Sequence, residues 1–405
     1  MARSAWVRWG VVAAVPFVLA IAAGGTILRL DDPEAPPVAG VSPSGSPDSP
    51  VPSGEGPTPG DRPDRFTMAF SGDILIHESL WETAAAHADA DAAERYDFRP
   101  LFTAIRPVIS EVDLAICHLE TPLSPDDDHI ASYPVFETPY ELATAIAWAG
   151  YEGCSTASNH SLDGGVAGVR ATLRWLDGAG LEHAGTARTW AESRRITAYE
   201  VKGATVANLS YTWGFNGFTP DHPWRANRIA VPRVLQDASR AREAGADLVI
   251  VSLHFGTEYT HEPNAYQRSV ADRLTRSRRI DLVVGHHAHV VQPLHRQQRT
   301  WVAYGLGNLV SGMTASLGTE AVADGVVFLV EATRDGNDWS IGSVSYVPTR
   351  VEEGSWRILP IAITLDRAWP SEALRAELRA SWARTVRAMR LFGDDVDPLG
   401  HLARG

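Results

Sequence analysis

The stretch DLVVGHHAHVV, residues 281–291, opens with an acidic residue and a β-branched apolar run, closes that run with a glycine, and then places His286, His287 and His289. Leu282, Val283 and Val284 lack polar alternation, the pattern of a strand buried on both faces of a parallel sheet. Open α/β sheets bind ligands outside the carboxyl ends of their strands, which is where these histidines fall. His287 and His289 are two apart on a sharp turn, so both imidazoles can converge on one ion or a close ion pair. The alternative is a solvated histidine-rich loop. The rest of the chain decides between them.

Immediately upstream the same unit occurs once before. AGADLVIVSLHFG and RRIDLVVGHHAHV both run from a helix end through a strand to histidine. The first of these strands spans 248–253 and ends in His254, with Glu258 a few residues on. Amphipathic helices are expected over 233–244 and 265–277. Further upstream, Phe66, Met68 and Phe70 alternate along a strand that runs through Ser71 and Gly72 into Asp73, and His77 falls in the first turn of the next helix. A strand over 113–117 delivers His118, Leu119 and Glu120. Another over 151–156 leads to Ser158-Asn159-His160, after which Asp163-Gly164-Gly165 starts a helix. An amide oxygen beside an imidazole at a strand end supplies a metal ligand and a proton donor in hydrolytic metal sites. Each residue also has a plain structural reading: Asp73 and His160 as helix caps, Asn159 as a turn former, Glu120 as a surface carboxylate.

The remaining elements frame these motifs. ITAYEVKG and ATVANLSYTWG read as a hairpin turning at Lys202-Gly203, followed by an irregular aromatic loop over 215–228 expected to lie across the site. WVAYGLGNLV, residues 301–310, reads as one further strand with Asn308 near its end. Antiparallel strands are expected over 325–331 and 341–347. The spacing of Leu374, Leu378, Trp382, Val386 and Met389 predicts an amphipathic helix over 371–391 that packs back on the domain. The site candidates all follow predicted strands, and the expectation is that they share one edge of one sheet. Oxygen and imidazole ligands without thiolates suit two Mn, Fe or Zn ions, and a shared carboxylate between two ions suits phosphoryl chemistry.

Bulk properties narrow the class. The 405 residues hold one large domain or two ordinary ones, and 44% hydrophobic with 21% charged content is that of a globular protein. A formal net charge of −13 leaves no surplus to neutralise phosphates, which excludes a nucleic-acid binder as the first choice. Arg3 and Arg8 precede an apolar run over 9–28, long enough to span a membrane. An uncleaved anchor over 1–29 is preferred to a signal peptide cut near Ala20 and Ala22, and either sends the rest out of the cytoplasm. Residues 30–64, dense in proline, serine and glycine, read as a disordered tether. The globular domain is assigned to 65–362 and a C-terminal helix and tail to 363–405. Cys117 and Cys154 are expected as buried free thiols, with a disulfide between neighbouring strands as the alternative.

Taken in order, GD, LE, SNH, HFGTEY, GHHAHVVQ and YGLGN resemble the CapA family, the capsule or poly-γ-glutamate synthesis proteins within the calcineurin-like metallophosphatase superfamily. The resemblance covers about 66–346. It implies a four-layer α/β/β/α domain. It further implies that Asp73 binds one metal, Glu120 bridges both, Asn159 and His254 hold the second, and His287 and His289 divide between the two. His160 would be the general acid. His77, Glu258, His286 and Asn308 are additional candidates. Glu120 stands where the superfamily carries aspartate, Phe255 where the family carries tryptophan, and Ala288 where proline is usual. Two functions follow: a membrane-tethered, extracytoplasmic metal-dependent phosphoesterase linked to capsule synthesis, or a non-catalytic factor for assembly or export of the polymer.

Overall fold

The computed structural model describes residues 65–90 and 94–399. The expected anchor, the tether and the last residues of the tail lie outside the described residues. Among those described, no helix is long and apolar enough to cross a membrane.

Fourteen strands are described. They are β1 (Arg65–Leu75), β2 (Leu114–Leu119), β3 (Gly153–Ser155), β4 (Glu182–Ala184), β5 (Thr197–Val201), β6 (Ala204–Thr212) and β7 (Leu248–His254). The others are β8 (Leu282–His286), β9 (Leu294–Gln297), β10 (Thr300–Ala303), β11 (Asn308–Ser311), β12 (Asp324–Asp335), β13 (Asp338–Val351) and β14 (Ile358–Pro360). One sheet runs β14-β13-β12-β1-β2-β3-β4, with β11 also pairing β1; the second runs β5-β6-β7-β8-β10-β9. Strands β1 to β4 are mutually parallel, as are β6, β7, β8 and β10, while β12 to β14 form an antiparallel extension.

The alternation along β1 explains the layering. Phe66, Met68 and Phe70 face the second sheet and pack with Val206, Leu248, Ile250, Leu282 and Val284. Ala69 and Ile74 turn to a helical layer that includes Leu80, Leu101, Ile146 and Leu173. Val249, Val251 and Val283 turn outward from the second sheet onto Val234 and Ala238 of the helix Val231–Glu243, and onto Ala271 and Leu274 of the helix Ala265–Thr275. The runs 248–251 in β7 and 282–284 in β8 are continuously apolar because both of their faces are covered. The result is a mixed α/β sandwich of two sheets with helices outside.

Three expectations need correction. The site candidates do not share one sheet: β1, β2 and β3 belong to one and β7 and β8 to the other. Sequential helix–strand units look alike whichever sheet they join, so the pattern alone could not separate them. The single strand expected over 301–310 is two. Thr300–Ala303 pairs β8 and Asn308–Ser311 pairs β1, and Gly307 at φ 69° makes the crossing between the sheets. Finally, Cys117 and Cys154 form a disulfide. They are direct partners on adjacent parallel strands, with Cα atoms 4.4 Å apart. The C-terminal helix, Glu372–Met389, packs back as expected, with Leu378 against Leu359 and Ile361. Its Ser381 and Arg384 donate to the buried Asp324.

The crossing is tight. A Cβ at Gly72 would stand 2.1 Å from the Gly307 carbonyl oxygen, a backbone atom that cannot swing aside. Gly72→Ala is therefore expected to lower the unfolding free energy by about 1–3 kcal/mol, the range for overpacking a filled site. Urea unfolding would read this, and an unchanged midpoint would contradict the close approach.

Candidate metal centre

Both sheets aim their carboxyl ends at one polar centre. Asp73 lies in β1, His118 in β2 with Glu120 just beyond, and Asn159 and His160 in the loop after β3. His254 ends β7, His286 ends β8, and His287 and His289 follow. All are buried. Ligand atoms of Asp73, His118 and His254 lie within 4.8 Å of one another, as do those of Glu120, His287 and His289. The turn GHHAH holds its shape through left-handed backbone at His287 (φ 88°) and His289 (φ 54°), uncommon for residues with a Cβ. The His287 N–H donates to Asp73 Oδ2 at 3.1 Å, which locks this turn to β1.

A chain of contacts orders the imidazoles. Ser155 Oγ is 2.7 Å from His118 Nδ1, His118 Nε2 is 2.9 Å from His254 Nδ1, and His254 Nε2 is 2.8 Å from Asn159 Oδ1. The Ser155 hydroxyl donates to the Cys117 carbonyl at 3.3 Å, so His118 Nδ1–H donates to Ser155 Oγ, His254 Nδ1–H donates to His118 Nε2, and His254 Nε2 is left without a proton. Asn159 keeps its oxygen toward His254 because its Nδ2 donates to Asn216 Oδ1 at 3.3 Å. The unprotonated His254 Nε2 and Asn159 Oδ1 thus present two neutral lone-pair donors on one side, with Glu120 Oε1 3.6 Å from the nitrogen. His286 stacks on His118 with ring centres 4.0 Å apart and sets Nδ1 3.3 Å from Asp73 Oδ1. His289 Nδ1 lies 3.2 Å from Asp73 Oδ2 and 3.0 Å from Asn308 Oδ1.

The donor set fits a cation by the polar atoms it leaves without partners. Asp73 Oδ1, both carboxylate oxygens of Glu120, His286 Nδ1 and His287 Nδ1 are buried and make no hydrogen bond. Buried charge without a partner is costly. Burial accordingly pushes the Glu120 carboxyl well above its ordinary range and holds His118 and His254 well below theirs. It also lowers His287 to about 3. These three imidazoles are neutral, the form that ligates metals. Burial pushes Asp73 up, but the close approach of the His286 and His289 imidazoles and the positive field of His289 prevail, so it ends well below the usual carboxylate range. His289 is opposed by burial yet raised to about 10 by Glu120 and Asp73. A retained proton does there what a metal cation would do better.

His160 stands apart from the ligand cluster. Its Nδ1 is 2.7 Å from Asp163 Oδ2 and its Nε2 is 3.4 Å from Asn216 Nδ2. It lines a cleft of about 750 Å³ together with His77, Asn159, Asn216, Phe218 and Glu258. The aromatic loop thus reaches the site through Asn216 and Phe218. Of the additional candidates, His286 contacts Asp73 and Asn308 supports His289, whereas His77 and Glu258 line the cleft and join neither ligand group. His77 Nδ1 faces the backbone instead, 3.2 Å from Leu75 O and 3.3 Å from Gly312 N. Sequence reasoning passed over His118, Asp163 and Asn216. For His118 a signal existed, since it shares a strand face with Glu120 two residues on.

The model of the family described as "Bacterial capsule synthesis protein PGA_cap" matches residues 67–313, more than half of the chain. The capsule biosynthesis protein CapA of Bacillus anthracis is 25% identical over 332 residues, covering 79% of this chain and 76% of that protein. The PGA biosynthesis protein CapA of Bacillus subtilis (strain 168) is 26% identical over 251 residues, 61% of this chain and 63% of that protein. Among solved structures, the calcineurin-like phosphoesterase YfkN from Bacillus subtilis aligns with a TM-score of 0.42 at 13% identity, covering 80% of this chain and 99% of that one. The family match embraces Asp73, Glu120, Asn159, His160, His254, His287, His289 and Asn308, and the chain belongs to the bacterial capsule synthesis protein family PGA_cap.

Proposed function

We propose that the chain is a metal-dependent phosphoesterase of the metallophosphatase type that serves capsule or poly-γ-glutamate synthesis. The observation that carries this reading is the pair of buried ligand groups with unpartnered carboxylate oxygens at Asp73 and Glu120. Asp73, Glu120, Asn159, His254, His287 and His289 would hold two divalent ions, Mn, Fe or Zn, with His118 and His286 beside them. Such ions supply an activated water and neutralise charge on a phosphoryl oxygen. The protein's own groups do the rest. Asp163 accepts from His160 Nδ1 and fixes the ring; Nε2 accepts from Asn216 Nδ2 at 3.4 Å, and once that long contact is released Nε2 would carry the proton handed to the departing oxygen. Asn216 bridges Asn159 and His160 and keeps proton donor and ligand in register.

The placement follows the same reading. Residues 9–28 would anchor the chain in the cell membrane in a single pass, with 30–64 as tether and the domain over 65–362 outside the cytoplasm. The Cys117–Cys154 disulfide supports an oxidising compartment. Capsule-synthesis machinery is the expected partner.

Two measurements test the proposal. Elemental analysis of the purified full-length chain should give close to two metals, and 4-nitrophenyl phosphate or its bis-ester should be hydrolysed under added Mn. His160→Gln should keep its metal and lose about 10²–10⁴-fold in kcat, the usual worth of a general acid. Metal retained with turnover absent from both parent and variant would favour the other role of the family, polymer assembly without catalysis. Absence of metal after reconstitution would remove the site.

A further inference from the structure

We propose that the cleft over His160 receives a neutral ring with an apolar face, carried on the leaving group, and rejects segments of an anionic polymer. This rests on the phosphoesterase reading and adds its substrate class. The observation is one of composition. Among the described residues, ten large apolar side chains are exposed, and five of them line this single cleft: Tyr133, Val135, Phe218, Tyr259 and Leu317. Exposed apolar surface gathered in one concavity marks a binding site. No lysine or arginine appears among the described residues that line it, and its one carboxylate is Glu258. An approaching polyanion meets that carboxylate and a chain of net charge −13, with no lysine or arginine to pair with.

The cleft is tied to the chemistry. Tyr259 adopts left-handed backbone at φ 61° and its N–H donates to the Ala288 carbonyl at 2.8 Å, inside the histidine turn. Its ring centre lies 6.2 Å from that of His289. Phe218 also lines the cleft, from the loop whose Asn216 contacts His160. A ring seated in the cleft against Tyr259 and Phe218 gains aromatic contact area and brings its ester oxygen toward His160.

The test separates the cleft from the metals. Equilibrium dialysis of the full-length chain in EDTA should show 2-naphthol bound at least tenfold more tightly than 2-naphthoate. The double substitution Tyr259→Ala with Phe218→Ala should remove that binding, and Glu258→Gln should narrow the gap between the two probes. Equal affinity for both probes, tighter binding of the carboxylate, or undiminished binding in the double variant each overturns the proposal. In the Mn-loaded chain, phenyl phosphate should then be turned over with a kcat/KM at least tenfold above that of 4-carboxyphenyl phosphate. Naphthol binding without turnover of either ester would overturn the phosphoesterase reading and leave the cleft assignment standing.

Discussion

Glu120→Gln is expected to abolish metal-dependent turnover and metal-induced stabilisation while leaving the metal-free protein within about 1 kcal/mol of its parent. Glu120 is buried, both of its oxygens lack a hydrogen bond, and burial drives its carboxyl well above the ordinary range. Burial disfavours the charge on Glu120 and no hydrogen bond offsets that cost, so glutamine, the neutral isostere, suits the metal-free fold. Metal binding requires the carboxylate, so the substitution acts only on the loaded state. A ligand present at a hundredfold its Kd stabilises by about 2.7 kcal/mol, and that increment should be missing from the variant. Thermal unfolding with and without Mn, beside elemental analysis, reads both terms. Equal destabilisation in EDTA and in Mn would show that Glu120 serves packing rather than a cation.

Much of this centre was legible because its residues sit at strand ends. At β7 and β8 a preceding aspartate, an apolar run and a terminal histidine report double-sided burial and a ligand position together. The approach of Asp73 was legible from Gly72, whose missing Cβ admits the Gly307 backbone. Contacts across the two sheets were not legible. His254 meets His118 across 136 residues and His287 meets Asp73 across 214, and no local pattern encodes such pairings. The split of residues 301–310 was hidden for a related reason: the turn at Gly307 is fixed by β1 and β12 on either side of it. Asn216 lies on an irregular loop, where periodicity carries no information. Asp163 was visible as a helix start, and its spacing of three from His160 was the available sign of its second role.

Removing the disulfide is expected to have the largest effect on stability among changes outside the metal centre. Cys117 and Cys154 are 37 residues apart in sequence, and closing a loop of that length is worth about 4 kcal/mol of chain entropy in the unfolded state. Both sulfur-bearing side chains are buried in the layer between the first sheet and its helices, so reduction exposes no ready alternative partner. The bond joins β2 and β3, the strands that release Glu120 on one side and Asn159 with His160 on the other. Cys117→Ala with Cys154→Ala should therefore lower the unfolding free energy by about 2–4 kcal/mol and shift the urea midpoint accordingly. Metal content should be unchanged, because the hydrogen bond from Ser158 Oγ to the Glu120 carbonyl holds the two ligand loops together independently of the sulfurs. A double variant with the parent's midpoint would show that the thiols are unpaired in solution. Lost metal at an unchanged midpoint would show instead that the bridge positions the ligands, a role that the packing around Ser158 does not require of it.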